Sequence, residues 1–575
     1  MPTEAIAVMG AQTTQKVAAE EELVENVKHQ LGDANYDELV TDARAATEAE
    51  QTMTLREGLR RYPKAIGWSV LLSSAIIMTG FDVVLLGSFY GFPQFNRRFG
   101  VLLPNGSYTV TAAWQAGLSN GGKCGEIMGL CINGWAMERF GCRKTMIGAL
   151  TAIVATIFLP VFAINIQMLL AGQILMGMSW GVFETLTTTY AAEVMPVALR
   201  PYLTAYVNLC WVIGQIIASG ALRGVLSIES EWSYRIPFAL QWIWPVPILI
   251  GCFFAPESPW WQIRNGRTDD ARRTVRRLWS NPTETEVDAQ VAMMKHTDAL
   301  EKSISSGTSY WDCFTGVDRR RTEVASGVWA IQNLCGSAFM GYSTFFLQQA
   351  GLPVSQSFNL SIGQYALGMA GTLSSWVLMR HFGRRTLYLA GLVGMFALLT
   401  VIGGMGFVSR GNTGAQWAVG ALLLIYTAIY DATVGPCCYT LVAEISSTRL
   451  RAKTTVIARI VYNLVAIVNA IIMPYFLNTG ALNWGAKTGL FWAGMCCICI
   501  VWAYFRLPEP RGRTYGELDV LFENRVSARK FSKTAADQFG GHGVSGGKVS
   551  PVASREKAGW EKGEDEDERV EQVEV

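Results

Sequence analysis

Three charged side chains lie inside long apolar stretches, and they are the residues of this chain best suited to proton chemistry. Asp82 is the only charge between residues 65 and 90. Glu126 and Arg459 lie in two later apolar stretches, and Lys123 precedes Glu126 by one helical turn. A charge at the centre of a bilayer costs roughly 2.5–3.5 kcal/mol, so it normally faces a protein interior and marks an ion or proton path. We therefore expect Asp82 and Glu126 to bind and release protons.

Each of these residues also has a structural interpretation. Asp82 could cap a broken helix or pair permanently with a cation. Glu126 could form a fixed pair with Lys123 on the same helical face and hold its helix against a neighbour. Arg459 follows Lys453 by only six residues and could pack against backbone carbonyls at the membrane surface.

Glu184 and Asp431 are two further acids inside apolar stretches. Gln173 and Glu184 are eleven residues apart, so they share one helical face with Trp180 between them. Both acids could line a central cavity. Asp431 could equally lie at the outer mouth of its helix without a function, and the sequence leaves both interpretations open.

A second group of side chains has the chemistry of a carbohydrate site, in which amides and rings combine with apolar walls. Asn208, Trp211 and Gln215 form one stripe at helical spacing. A single amide in a membrane helix is explained about as well by an interhelical hydrogen bond worth roughly 0.6–2 kcal/mol. The set is a stronger indication than any member, and its candidate sugar contacts are Gln173, Asn208, Trp211, Gln215, Gln332, Asn333, Tyr342, Tyr439, Tyr462 and Asn463.

A bundle of membrane helices must position these residues. The 575-residue chain is 50% hydrophobic and 16% charged, against about 25% charged in soluble proteins. Its net charge of +2 does not favour a nucleic-acid partner, and its 12 cysteines lack zinc spacing and predict neither a metal site nor a disulfide framework. Twelve stretches are long enough to cross a bilayer: residues 65–90, 111–137, 145–165, 167–190, 202–226, 237–256, 324–350, 360–380, 386–408, 416–442, 454–477 and 485–507.

Basic residues in short loops predict the orientation. Loops after the second, eighth and tenth stretches are rich in Arg and Lys, whereas the alternate loops hold few, which places both termini in the cytosol. We predict an all-α membrane protein with five parts: a cytosolic tail (1–60), a six-helix half (61–256), a cytosolic linker with short helices (257–323), a second six-helix half (324–510) and a mostly disordered cytosolic tail (511–575).

Three short motifs occur twice, about 250 residues apart. Residues 140–143 recur at 382–385, residues 192–200 recur at 443–451, and residues 256–259 have a partner at 508–510. A six-helix unit has therefore been duplicated, and two such halves can rock about a site at their interface. The motif charges are candidates for salt bridges that join the halves at the cytosolic gate, although ordinary positive-inside topology also explains them: Arg143, Glu193, Arg200, Arg385, Glu444 and Arg451.

With these motifs, the chain from about 60 to 525 resembles the sugar porter family of the major facilitator superfamily. The resemblance is carried by Gly80-Phe81-Asp82, the paired Phe-Gly-x-Arg loops, residues 193–200, 256–259 and 508–514. It implies twelve transmembrane helices in two halves. Residues 329–336, 341–344 and 458–459 are similar to those of the fungal maltose-permease type, proton symporters of α-glucosides.

The chain departs from the family pattern in its polar core. Many proton-coupled sugar porters carry an Arg in the fourth helix as partner of the first-helix Asp, and Gln173 stands there in this chain. The usual substrate-stacking Trp of the tenth helix is Tyr439, and the paired glutamines of the seventh are Gln332 and Asn333. The resemblance suggests that Arg459 contacts the acids of the first two helices. We therefore expect Arg459 to be the cation that switches with protonation.

These observations predict a secondary transporter that imports a sugar, such as the α-glucoside maltose, with a proton. We expect it in the plasma membrane, as a monomer, with the bilayer, the sugar and the proton as its partners and no cofactor. A passive facilitator or a sugar sensor with a transporter body remains the alternative. No nucleophile–base pair or metal spacing indicates an enzyme.

Overall fold

The computed structural model describes residue 28 and residues 36–103, 106–196, 199–305, 309–408, 412–447, 450–478, 480–511, 518 and 521–534. Helices account for nearly all of this structure. The exception is a short antiparallel hairpin, Val101–Leu102 with Tyr108–Thr109, in which Val101 pairs with Thr109. The predicted all-α architecture is confirmed for the described residues.

The first half contains six membrane-length segments, which we number spans 1 to 6. Proline at the first helical turn begins several of them, and the Asn165 side chain accepts a hydrogen bond from the Met168 N–H (2.8 Å) at the start of span 4. The bounds are Pro63–Ser73 with Ile76–Phe89 (span 1), Ala112–Phe140 (2), Cys142–Thr156 with Phe158–Val161 (3), Ile166–Val194 (4), Arg200–Val225 (5), and Trp232–Leu240, Gln241–Ile243 and Pro245–Phe254 (6).

The second half contains spans 7 to 12. Span 7 is broken at Gly336, whose φ of +96° favours glycine, and span 10 is broken at Thr433. The bounds are Asp318–Leu334, Ala338–Gly341 and Ser343–Gln349 (span 7), Val354–His381 (8), Arg384–Met405 (9), Thr413–Ala432 with Val434–Ile445 (10), Arg451–Leu477 (11), and Thr488–Arg506 (12), which follows the turn Gly485–Lys487.

The two halves pack in the same pattern. In the first half, spans 1 and 5, 2 and 4, and 3 and 6 are neighbours, and in the second half 7 and 11, 8 and 10, and 9 and 12. The halves meet where span 2 packs on span 11 and where span 5 packs on span 8. The symmetry that relates the two halves converts one of these contacts into the other. This repetition is what a duplicated six-helix unit predicts.

Eight spans are apolar and long enough to cross a membrane on length and composition alone, among the residues described: 1, 3, 4, 6, 9, 10, 11 and 12. Spans 2, 5, 7 and 8 are less apolar. The contacts between the halves are made mainly by three of these, spans 2, 5 and 8, together with span 11. A lower hydropathy is expected for helices that face a polar interior rather than lipid.

One end of the bundle, which we call the hairpin end, carries the Val101–Thr109 hairpin. The opposite end, the linker end, carries the helices Pro259–Arg264, Thr268–Leu278, Glu284–Ser305 and Tyr310–Phe314 between the halves. Helices Tyr36–Thr52, Leu55–Arg61 and the short Pro93–Phe99, and the turn Ala528–Lys533, complete the fold. The helix Tyr36–Thr52 packs on Glu284–Ser305, where Gln290 donates to the buried Glu50 (2.8 Å). The prediction for residues 535–575 lies outside the described residues.

Candidate functional site

Four charged side chains, two buried acids and two half-buried cations, form a cluster where span 11 of the second half meets spans 2 and 4 of the first. Arg459 Nη2 lies 2.5 Å from Glu184 Oε2 and 3.8 Å from Glu126 Oε1. Lys123 Nζ lies 2.5 Å from Glu126 Oε2. The charges of the two acids and the two cations sum to zero. Arg459 belongs to the second half and the other three residues belong to the first, so the ion pairs of Arg459 connect the halves.

Glycines hold the acids of this cluster in place. Spans 2 and 4 approach so closely that a Cβ added to Gly129 would lie 2.0 Å from the Met178 carbonyl oxygen, and one added to Gly181 would lie 2.2 Å from that of Glu126. Gly125 and Gly177 make equivalent approaches. Such small-residue seams let helix backbones touch, and here they place Glu126 and Glu184 side by side on one rigid pair of spans.

Aromatic rings from the second half surround Arg459. Its guanidinium lies 4.9 Å from the Trp329 ring centroid and 4.6 Å from that of Tyr462, within the range of cation–π attraction. Trp329 also packs edge-on against Tyr439 (4.9 Å) and Tyr462 (5.3 Å). The three rings orient the guanidinium toward the first half.

Asp82 is buried apart from this cluster. Gln241, in the break of span 6, donates a 2.6 Å hydrogen bond to Asp82 Oδ1, and Gln173 lies close enough to interact with the same carboxylate. We predicted one site in which Asp82 and Glu126 share Arg459. In the structure, Glu126 pairs with Arg459, whereas Asp82 is hydrogen-bonded to an amide. The reason is that span 11 packs against span 2, and span 4 packs on span 2 as well, whereas span 1 packs mainly against span 5.

Several predicted sugar contacts lie near the cluster. Tyr439 and Tyr462 contact Trp329, and Asn333 donates to the Tyr462 carbonyl (3.2 Å). Gln173 lies beside span 2, because a Cβ added to Gly122, the second residue N-terminal to Cys124 and the one before Lys123, would lie 3.6 Å from Gln173 Oε1. These side chains connect spans 2, 4, 7, 10 and 11 around one interior region.

The other predicted contacts are more dispersed. Gln332 donates to the Gly435 carbonyl (3.0 Å) and so braces the break in span 10. Asn208, Trp211 and Gln215 are half-buried on span 5, and Asn463 is fully buried on span 11. Among the described residues, Asn208 Nδ2 and both polar atoms of Asn463 have no hydrogen-bond partner. Buried amides without partners are unusual and are suited to bind a hydroxyl-rich ligand.

The hairpin end is closed by contacts between the halves. Tyr342 of span 7 bonds Ser119 of span 2 through their hydroxyls (2.9 Å), and its ring stacks on Tyr90 at 6.0 Å. Gln348 donates to the Gly91 carbonyl (3.0 Å), and Asn478 donates to the Val110 carbonyl (2.8 Å). Tyr342 therefore lies at the boundary between the interior region and this closed end.

The predicted gate charges of the first half make contacts inside that half. Glu193 pairs with Arg264 (2.9 Å) and accepts a hydrogen bond from Ser258. The Arg143 backbone N–H donates to Glu257 (3.2 Å), and its side chain donates to the Cys252 carbonyl (3.1 Å). Burial raises the pKa of Glu257, and hydrogen bonds from backbone N–H groups oppose that rise.

The second half repeats this arrangement. Arg384 pairs with Glu444 (3.0 Å), and the Arg385 backbone N–H donates to Glu509 (3.0 Å) while its side chain donates to the Tyr504 carbonyl (2.8 Å). In this conformation, which is closed at the hairpin end, the described contacts of Arg143, Glu193, Arg385 and Glu444 lie within their own half or on the linker beside it. That these charges join the halves when the cavity opens outward stays a prediction. The side chains of Arg200 and Arg451 lie outside the described part of the structure.

Two residues of the site, Trp329 and Gln241, were not predicted, and the role of Glu184 was left open. Glu184 was the lone charge of its predicted stretch, so a signal existed, but its partner was unknown. Trp329 appeared only within a motif, and Gln241 gave no signal because an amide in an apolar stretch is common. Within the described residues, no group of three His, Cys, Asp or Glu side chains is placed to hold a metal ion.

Comparison with known proteins identifies the family. The family model "Sugar (and other) transporter" matches residues 68–522. The chain is 44% identical over 525 residues to the general alpha-glucoside permease of Saccharomyces cerevisiae, covering 89% of this chain and 85% of the permease. It is 42% identical over 510 residues to the maltose permease MAL31 of the same yeast, covering 88% and 83%.

Solved structures show the same fold. The partially occluded inward-open xylose transporter XylE of E. coli superposes with a TM-score of 0.64 at 17% identity, covering 79% of this chain and 100% of XylE. The inward-open form of XylE gives the same score at 18% identity. These likenesses concern the fold alone. The chain therefore belongs to the sugar (and other) transporter family, as a multi-pass membrane transporter of the major facilitator fold and not an enzyme.

Proposed function

We propose that this protein imports an α-glucoside disaccharide such as maltose together with a proton, by alternating access of its two halves. The observation that supports this most directly is the cluster of Glu126, Glu184, Lys123 and Arg459 at the interface of the halves. Relatives that are 42–44% identical over most of the chain are named alpha-glucoside and maltose permeases.

The sugar would bind between the halves, next to this cluster. The amides of Asn208 and Asn463, which lack hydrogen-bond partners, are suited to bind sugar hydroxyl groups, and the rings of Tyr439 and Tyr462 offer apolar faces. Residues from both halves contribute, so bound sugar would favour states in which the halves are together around it.

The proton would act on the charges of the same region. In the predicted scheme, Asp82 and Glu126 take up the proton and Arg459 responds to the change in charge. Neutralising an acid in contact with Arg459 weakens the attraction between the halves, because Arg459 lies on span 11 and the acids lie on the first half.

We place the linker end and both termini in the cytosol and the protein in the plasma membrane. The basic segments at residues 139–144, 380–385 and 450–453 lie at the linker end, as the positive-inside rule requires of a cytosolic face. With that orientation the structure is closed toward the outside by Tyr342, Gln348 and Asn478.

Uptake of labelled maltose by cells that lack their own sugar transporters tests the proposal. We expect accumulation against a gradient and a rise in external pH when sugar is added. Uptake without that rise would identify a passive facilitator, and signalling without uptake would identify a sensor. Competition by a panel of sugars would define the substrate range.

Glu126→Gln tests the role of the charge cluster within the same assay. We expect it to lose proton-driven accumulation but to retain exchange of labelled for unlabelled sugar, because exchange does not require the empty carrier to return. Unchanged accumulation would reject the role of Glu126.

A further inference from the structure

Three parts of the chain meet at one corner of the linker end, which we call the span 1–6 corner. The last helix of span 6, Pro245–Phe254, and the linker helix Thr268–Leu278 both pack on the first helix of span 1, Pro63–Ser73. Spans 1 and 6 approach closely here, because a Cβ added to Gly251 would lie 2.4 Å from Leu71 Cδ2. The linker helix therefore sits beside the ends of both spans.

This corner lies where span 6 leaves the apolar part of the bilayer. Span 6 carries exposed apolar side chains as far as its last residue, and on a membrane helix such side chains face lipid: Ile243, Val246, Ile250, Phe253 and Phe254. Arg277 of the linker helix donates a hydrogen bond to the Phe254 carbonyl, and its guanidinium lies 5.9 Å from the Trp68 ring centroid. Tryptophan is enriched at the membrane–water interface, so Arg277 lies at headgroup level.

Two cations at the corner have no acid to balance them. Lys64 is exposed and precedes Trp68 by one helical turn, on the same face of span 1. Among the described residues, neither Lys64 nor Arg277 has a carboxylate within salt-bridge distance. The other arginines of the linker helix are each paired with an acid: Arg272 with Asp288, Arg273 with Asp270, and Arg276 with Glu284.

The chemistry of the corner matches one class of membrane component. A phosphate group accepts hydrogen bonds from a guanidinium in a fixed fork and from an ammonium as a point charge. The apolar side chains of span 6 that continue from Phe254 into the membrane offer a surface for acyl chains. The proposed orientation places this corner at the cytosolic leaflet, whose anionic lipids give it a negative surface potential.

We propose that the span 1–6 corner binds an anionic phospholipid, with the headgroup between Lys64 and Arg277 and the acyl chains along the exposed face of span 6. The site goes beyond the proposed sugar import and does not depend on it. Because Lys64 belongs to span 1 and Arg277 belongs to the linker, a bound headgroup ties the linker helix to the first half.

Native mass spectrometry of the purified full chain in detergent tests the proposal, with added phosphatidylserine or phosphatidylcholine of the same acyl chains. We expect wild type to retain phosphatidylserine in preference to phosphatidylcholine. Lys64→Gln and Arg277→Gln should each weaken phosphatidylserine binding by roughly fivefold, the effect of one basic residue at a membrane surface. Arg276→Gln is the matched control: it removes the same charge from the same helix, but Arg276 is already paired with Glu284, so binding should stay at the wild-type level.

Three results would overturn the proposal. Equal retention of the two lipids would show that the apolar surface alone binds them, and an equal loss in Arg276→Gln would show that only diffuse charge matters. Displacement of phosphatidylserine by inorganic phosphate would assign the cations to a soluble anion. If Arg277→Gln does not fold, as judged by size-exclusion chromatography, Lys64→Gln decides, and unchanged phosphatidylserine binding by that variant refutes the site.

Discussion

Replacing Gly129 by alanine should separate spans 2 and 4 and thereby disturb the charge cluster. The added Cβ would lie 2.0 Å from the Met178 carbonyl oxygen, whereas real contacts stop near 3.0 Å, so the backbones must part by about 1 Å. Overpacking of this kind costs about 1–3 kcal/mol. Gly134, five residues later on the same span, has nothing within 4 Å of an added Cβ and gives a matched control.

Both substitutions bring the same gain in helix propensity, about 1 kcal/mol, so their difference isolates the contact between the spans. Thermal unfolding in detergent, followed with a thiol-reactive dye, should show Gly129→Ala unfolding several degrees below Gly134→Ala. Sugar accumulation should fall in Gly129→Ala alone, because Glu126 and Glu184 lie on the two spans that are displaced. Equal stability of the two variants would refute the close approach from which this prediction is made.

Three further predictions follow from other contacts. Tyr342→Phe removes the hydrogen bond to Ser119, worth about 0.5–1.5 kcal/mol, and should increase labelling of a cysteine introduced at the hairpin end; unchanged labelling would show that this bond does not hold the end closed. Gln241→Leu removes the hydrogen-bond partner of the buried Asp82, and we expect this variant to lose sugar accumulation while it stays folded, as judged by size-exclusion chromatography. Gln241→Glu should not restore sugar accumulation. A hydrogen bond from the Thr283 N–H lowers the pKa of Glu286, so the stabilisation that Glu286 gives the linker is fully present above the ordinary carboxyl pKa of 4.5 and is lost as pH falls. Glu286→Gln should therefore speed hydrogen exchange of segment 280–287 at neutral pH but not in acid.

The twelve spans could be located from the sequence because each is a long apolar stretch with few alternatives in a membrane. Their predicted ends agree with the structure to within a few residues at most boundaries. The breaks at Gly336 and Thr433 were not predicted, since glycine and threonine also occur in unbroken membrane helices. Helix Tyr36–Thr52 was also missed, because it is polar and packs on a helix more than 200 residues away.

The members of the site were predicted better than their partners. A charge in an apolar stretch is visible in the sequence, which is why Asp82, Glu126, Glu184 and Arg459 were all noticed. Which acid meets Arg459 depends on the glycine seam and on the packing of span 11 against span 2, and both are contacts between distant parts of the chain. Local sequence carries no information about such distances.

The linker is attached to both halves, and this limits how far they can separate. Its helices from Pro259 to Ser305 contact the first half, for example through Arg264 and Glu193, whereas Tyr310–Phe314 contacts the second, where Cys313 lies 3.9 Å from Thr454. The linker therefore has contacts on both sides of the interface between the halves. When the halves move relative to one another, these contacts must follow them or break, so the linker helices take part in that movement.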